Sequence, residues 1–183
     1  MPWDAASAQR FQELAGVYAL PGGCWAVLKV NPAPSKTQGS AQAVPEGYDY
    51  AWAILAPGAA PKRRGHRMAG VDNSDDKHVR DQISANAGSP MHRAHRHAPD
   101  WKNVVSIKGQ DWPVAARGVQ LAQAPATPGE LWMECMACLK EILAGLGLDV
   151  PNEMELLVGR MDEEEFRRGK SDQRRDQGPG LEM

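Results

Sequence analysis

The chain lacks several features that would have decided its class. It holds no apolar run near the ~18 residues of a membrane span. Its start, Met1-Pro2-Trp3-Asp4, has no basic segment followed by an apolar stretch. A cytoplasmic protein with no membrane partner is therefore expected. Cysteine is scarce, and Cys24, Cys135 and Cys138 cannot form an even disulfide set. Cys135 and Cys138 make a C-x-x-C, but no second pair stands at zinc-site spacing, so they are expected to fill a helix face as small apolar groups. There is no P-loop, dinucleotide glycine fingerprint, G-x-S-x-G elbow or H-E-x-x-H pair. No cofactor is expected, and no internal repeat is present.

What remains is 183 residues, 42% of them apolar, enough for one ordinary core with a terminal appendage. Glycine and proline together make 32 residues, so loops are many. The net charge of −2 hides an uneven layout. Residues 62–102 carry nine basic and five acidic groups and all five histidines, between flanks of net −1 and net −5. A basic centre of this kind is a plausible anion-binding footprint, and equally a solvated loop.

Asp4 can cap a short helix to about Ala15. Residues 24–30 are apolar on nearly both faces and predict a strand central in its sheet. A polar loop with a Ser35-Lys36 tip follows. Residues 48–55 place Tyr48, Tyr50, Trp52 and Ile54 on one face at period two, and residues 66–72 predict the returning strand, so antiparallel pairing is expected. Residues 74–91 form an irregular excursion, partly helical around 77–83. A fourth strand over 95–105, interrupted by Pro99, and a fifth over 118–123 complete a sheet of four to five strands. Thr127-Pro128-Gly129-Glu130 predicts a capping box opening a helix over 127–146, with Trp132, Cys135, Met136, Leu139, Ile142, Leu143 and Leu146 as its apolar stripe. The expectation is a single α+β domain over 1–150: an antiparallel sheet packed by that helix, with a short N-terminal helix. Residues 151–183 are expected as a C-terminal appendage, partly helical and then disordered from Lys170.

The chemistry concentrates in His92-Arg93-Ala94-His95-Arg96-His97, three imidazoles and two guanidiniums in six residues. Histidine exchanges protons near neutrality, and arginine offers forked donors that match phosphate oxygens. In an extended segment His95 and His97 share a face and Arg96 takes the other. Asp72, before Asn73, either orients a histidine or caps its strand in an Asx turn. Acid–base chemistry on RNA, with the 2′-hydroxyl as nucleophile, fits these residues. So does a divalent ion on His95, His97 and Asp72 or His92 activating water, and so does a surface loop without chemistry. Tyr48, Tyr50, Trp52, Trp25, Trp101 and Trp112 can stack bases, or simply fill the sheet face.

The order of these features resembles the TumE-type toxins of bacterial toxin–antitoxin modules. It runs from the strand at Trp25 through Tyr48-Asp49-Tyr50 to Arg67-Met68-Ala69-Gly70-Val71-Asp72-Asn73, then His95-Arg96-His97 and the helix with Leu131-Trp132. The likeness covers about Gly23 to Leu146. Where that pattern has Ala and His after Asp-Asn, this chain has Ser74 and Asp75. The resemblance implies a small α+β toxin acting on RNA or translation, partnered by a cognate antitoxin. On this reading His95 and His97 transfer protons, Asp72 orients them, and Arg67, Arg93 and Arg96 bind phosphate, with no metal assigned. A non-catalytic partner-binding or immunity-like protein and a metal-dependent phosphoesterase are the alternatives.

Overall fold

The structure, a computed structural model, describes residues 2–33, 44–60, 62–85 and 92–168. The elements in chain order are α1 (Ala5–Gln12), β1 (Gly16–Ala19), a 3-10 turn at Pro21–Gly23, β2 (Trp25–Pro32), β3 (Tyr48–Pro57), β4 (Arg64–Asp72) and α2 (Lys77–Ala85). They continue with β5 (His95–His97), β6 (Pro99–Ile107), β7 (Gln110–Ala115), β8 (Val119–Gln120), α3 (Pro128–Gly145), α4 (Glu153–Val158) and β9 (Arg160–Met161). A last helical turn spans 163–168.

The fold is α+β. One antiparallel sheet of seven strands runs β8-β5-β4-β3-β2-β1-β9, and β6 and β7 form a separate hairpin. The expected count of four to five strands is thus corrected upward. β8 and β9 have two residues each and β1 four, too short to show alternation. The strand expected over 95–105 divides at Ala98: β5 joins the large sheet and β6 turns out to pair β7. The Ser35-Lys36 tip and the tail from Lys170 lie outside the described residues.

α3 covers one sheet face. Its buried line is Leu131, Cys135, Cys138, Leu139, Ile142 and Leu143, seated on Leu28, Tyr50, Trp52, Ile54 and Val71. Trp132 and Met136 flank that line, Trp132 meeting Trp52, Tyr18 and Phe11 at ring-centroid distances of 6.0, 6.4 and 6.2 Å. Thr127 Oγ1 accepts from the Glu130 amide, while Glu130 Oε2 accepts from the Ala126 amide, one residue before the cap. All three cysteines are buried free thiols.

The opposite face carries a smaller cluster in which Val17, Trp25 and Val27 meet Phe166. This is why β2 is apolar on both sides. Residues 153–168 belong to the same packed unit: β9 pairs β1, Leu156 is buried against the main core, and Trp25 and Phe166 pack edge-on at 4.9 Å. Among the described residues no helix is long and apolar enough to cross a membrane.

Candidate functional site

Antiparallel register decides which side chains meet. Asp72 stands opposite Ala51 and His95, and Gly70 opposite His97, so Asp72, His95 and His97 project from the face away from α3. Arg67 would sit on the other face if β4 were regular, being an odd five residues from Asp72. A bulge prevents this. Ile54 pairs with Ala69 but Leu55 with Arg67, leaving Met68 as the extra residue. Met68 turns into the core, and Arg67 is re-aimed to the Asp72 side. Gly70 leaves its path clear, since a Cβ there would stand 3.1 Å from Arg67 Nε.

The result is a tight cluster around one carboxylate. Asp72 Oδ1 lies 2.9 Å from His95 Nε2 and accepts from the Ser74 amide and hydroxyl at 3.1 and 2.5 Å. Oδ2 accepts from Arg67 at 2.9 Å and lies 3.5 Å from His97 Nε2. The Ser74 contacts are an Asx turn, so both roles weighed for Asp72 coexist. Asn73 extends the ladder with its side chain, accepting from the Tyr50 amide at 2.9 Å and donating to the Tyr48 carbonyl at 2.8 Å.

Both rings are tethered behind. His95 Nδ1 is 2.6 Å from the Arg93 carbonyl, and His97 Nδ1 is 2.8 Å from the Ala116 carbonyl. A carbonyl only accepts, so each Nδ1 carries the proton and each Nε2 faces the carboxylate. His95 Nε2 is fully buried, and despite its closeness to Oδ1 it makes no aligned hydrogen bond. The two Ser74 bonds already occupy the lone pairs of that oxygen. Burial pulls the His95 pKa down, but the Asp72 carboxylate more than reverses this and the net shift is upward. Burial likewise pushes Asp72 up, yet the His95 and His97 rings beside it and the Ser74 hydroxyl hold it well below the usual carboxylate range. Asp76, which caps α2 through the His78 and Val79 amides at 2.7 and 3.2 Å, adds negative charge nearby.

Not every expected residue joins this cluster. Arg93 contributes its carbonyl and lines an adjoining open hollow of about 340 Å³. That hollow sets Lys29 and Arg93 against Asp49 and Asp75, so its charge is balanced. Arg96 is a correction. It stands opposite Val71, on the α3 face, and pairs there with Glu141. The alternation that aligns His95 with His97 sends the residue between them through the sheet. His92 is buried away from Asp72, its carbonyl accepting from Gln120, and His66 contacts the Pro113 carbonyl at 3.0 Å. Neither belongs to the site.

Gly118 also shapes the site. A Cβ there would fall 2.6 Å from His95 Cδ2 and 3.2 Å from His97 Cε1, so only glycine lets the β7–β8 link lie against both rings. An isolated glycine before a two-residue strand carries no local signal of this. Gln82 of α2 fixes the link by donating to the Gly118 carbonyl at 2.9 Å and accepting from the Gln120 amide at 3.0 Å. No protein-family model, curated protein or solved structure matches this chain. A functional reading therefore rests on the residues and their geometry.

Proposed function

We propose that this protein is the toxin component of a toxin–antitoxin module, acting on RNA or translation by acid–base chemistry at the Asp72–His95–His97 cluster. One observation carries the reading: two segments more than twenty residues apart deliver a carboxylate and two tethered imidazoles to one point, with Arg67 beside them. The order of motifs shared with the TumE-type toxins adds to it. His97, whose side chain is 12% exposed, is the ring that reaches substrate, while His95 at 0% is a positioning residue acting through Asp72. His97 takes the proton of the RNA 2′-hydroxyl as that oxygen attacks the neighbouring phosphorus. The 5′-oxygen leaves, taking a proton from solvent to end as a hydroxyl, and Arg67, with Arg93 from the adjoining hollow, offsets the charge of the phosphorane-like transition state. A cognate antitoxin would restrain the activity.

Induced expression in bacteria tests this. Wild type should arrest growth, and His95→Ala/His97→Ala protein of equal abundance and intact fold should not. Arrest by that folded variant discards the assignment, and a harmless wild type points to a partner-binding protein without chemistry.

A second reading is favoured by the tethered tautomers. With each Nδ1–H bonded to a carbonyl, each Nε2 can offer a lone pair, and three donor atoms of Asp72, His95 and His97 lie within 4.8 Å of one another. That set suits Zn²⁺ or Mn²⁺ activating water in a metal-dependent phosphoesterase. Purified protein with about one equivalent of metal, and activity lost to chelator, would select it over proton transfer by His97.

A further inference from the structure

At the far end of β4, the β3–β4 connection and the tip of the β6–β7 hairpin border a second hollow, of about 310 Å³. It lies ~26 Å along the strand from Asp72. Trp25, Pro57, Ile107 and Trp112 give it an apolar floor, and Lys62, Arg63 and Lys108 stand at its rim. Among the described residues no carboxylate lines it.

Two observations mark it as built for a ligand. Lys62 and Lys108 are the two non-glycine residues with positive φ in the described chain, at 57° and 50°. Lys108 and Gly109 (φ 78°) form the two-residue turn between β6 and β7, where asparagine, aspartate or glycine would sit with less strain. Lysine gives the turn nothing; it gives the rim an ammonium group. Finally, none of the three rim cations is in an ion pair among the described residues.

A bare phosphate would leave the apolar floor wet. An uncharged apolar ligand would leave the cations without partners. A planar heteroaromatic ring carrying phosphate satisfies all of them. We propose that this hollow is a nucleotide-binding pocket, seating a base on the Trp25, Ile107 and Trp112 floor and a phosphate between Lys62, Arg63 and Lys108. The inference stands apart from the catalytic reading, because no residue of the Asp72 cluster enters it.

The test titrates the full-length ¹⁵N-labelled protein with UMP, AMP, inorganic phosphate and a short oligouridylate, following the Trp112 indole resonance assigned with Trp112→Phe. Nucleotide should move that resonance. Inorganic phosphate should bind at least tenfold more weakly, and Lys62→Gln/Lys108→Gln, folded by thermal melt, should lose tenfold or more in nucleotide affinity. Tighter binding of the oligomer identifies the ligand as a residue of an RNA strand, and equal binding identifies a free nucleotide; both uphold the pocket. An unmoved Trp112 resonance at millimolar nucleotide overturns it, as does unaltered affinity in the double-lysine variant. His97→Ala should bind nucleotide as wild type does, so failure of the pocket and failure of the catalytic centre read out separately.

Discussion

Replacing Asp72 by Asn removes one charge and almost no volume, so its effect reports the electrostatics of the cluster. The amide oxygen can keep the two Ser74 bonds, which places the NH₂ where Oδ2 stood, 2.9 Å from Arg67 and 3.5 Å from His97. Toward Arg67, donor then faces donor. Breaking a buried ion pair by removing one partner costs about 3–5 kcal/mol. Arg67 keeps about a third of its side chain in solvent (33%) and recovers part of its hydration, so the expectation falls to roughly 2–4 kcal/mol. A domain of this size has about 5–15 kcal/mol in hand, so the variant should still fold at 25 °C. At ~2–4 °C per kcal/mol, its Tm should fall by roughly 5–15 °C. Thermal melts and urea titrations of Asp72→Asn, Arg67→Met and the double variant, all with chelator present, check this. The double variant should be less destabilised than the sum of the singles. A Tm within ~2 °C of wild type, or strict additivity, would refute the pairing described.

Three further outcomes follow from particular contacts. Gly118→Ala pushes a methyl against two imidazoles that cannot retreat, and should cost about 1–3 kcal/mol in urea unfolding and most of the activity; unchanged function would mean the rings need no such fit. Glu46 is buried, Oε1 accepting from the Tyr50 hydroxyl at 2.9 Å and Oε2 unpartnered, and burial raises its pKa. Its folded form holds the proton more tightly than the unfolded chain, so that stability is present in acid and lost as pH rises through the folded pKa. Glu46→Gln should therefore flatten the profile and exceed wild type at pH 8, and parallel urea midpoints at pH 5 and 8 would contradict this. Burial pushes the Cys24 thiol to about 12 and Cys138 to about 11, and Cys135 well up, so native protein should resist iodoacetamide at pH 8 and react once unfolded. Rapid native labelling of Cys135 or Cys138 would contradict the seating of α3.

Long periodic segments were readable without coordinates. The alternation of β3 and the stripe of α3 each span enough residues for their period to show. His-x-His announced a shared face, and the same alternation already separated Arg96 from it, although a shared charge argued for grouping them. What escaped depended on pairing. The bulge at Met68 cannot be inferred from β4 alone, yet it decides whether Arg67 reaches Asp72. Gly118 and the Ala116 carbonyl matter only because β8 folds back beside β5. Residues beyond 151 were expected as an appendage because Phe166 stands alone among charged neighbours in sequence and finds Trp25 only in three dimensions. Trp112 looked like core, and its side chain is indeed buried; the unpartnered indole nitrogen is visible only with the fold complete.

The most direct test of the central claim is cleavage of RNA by purified protein in the presence of chelator, with the new ends analysed chemically. The account predicts strand breaks ending in 2′,3′-cyclic phosphate, slowed about 10²–10⁴-fold by His97→Gln in a protein that melts like wild type. Intact RNA, or cleavage at an undiminished rate by that folded variant, would contradict it.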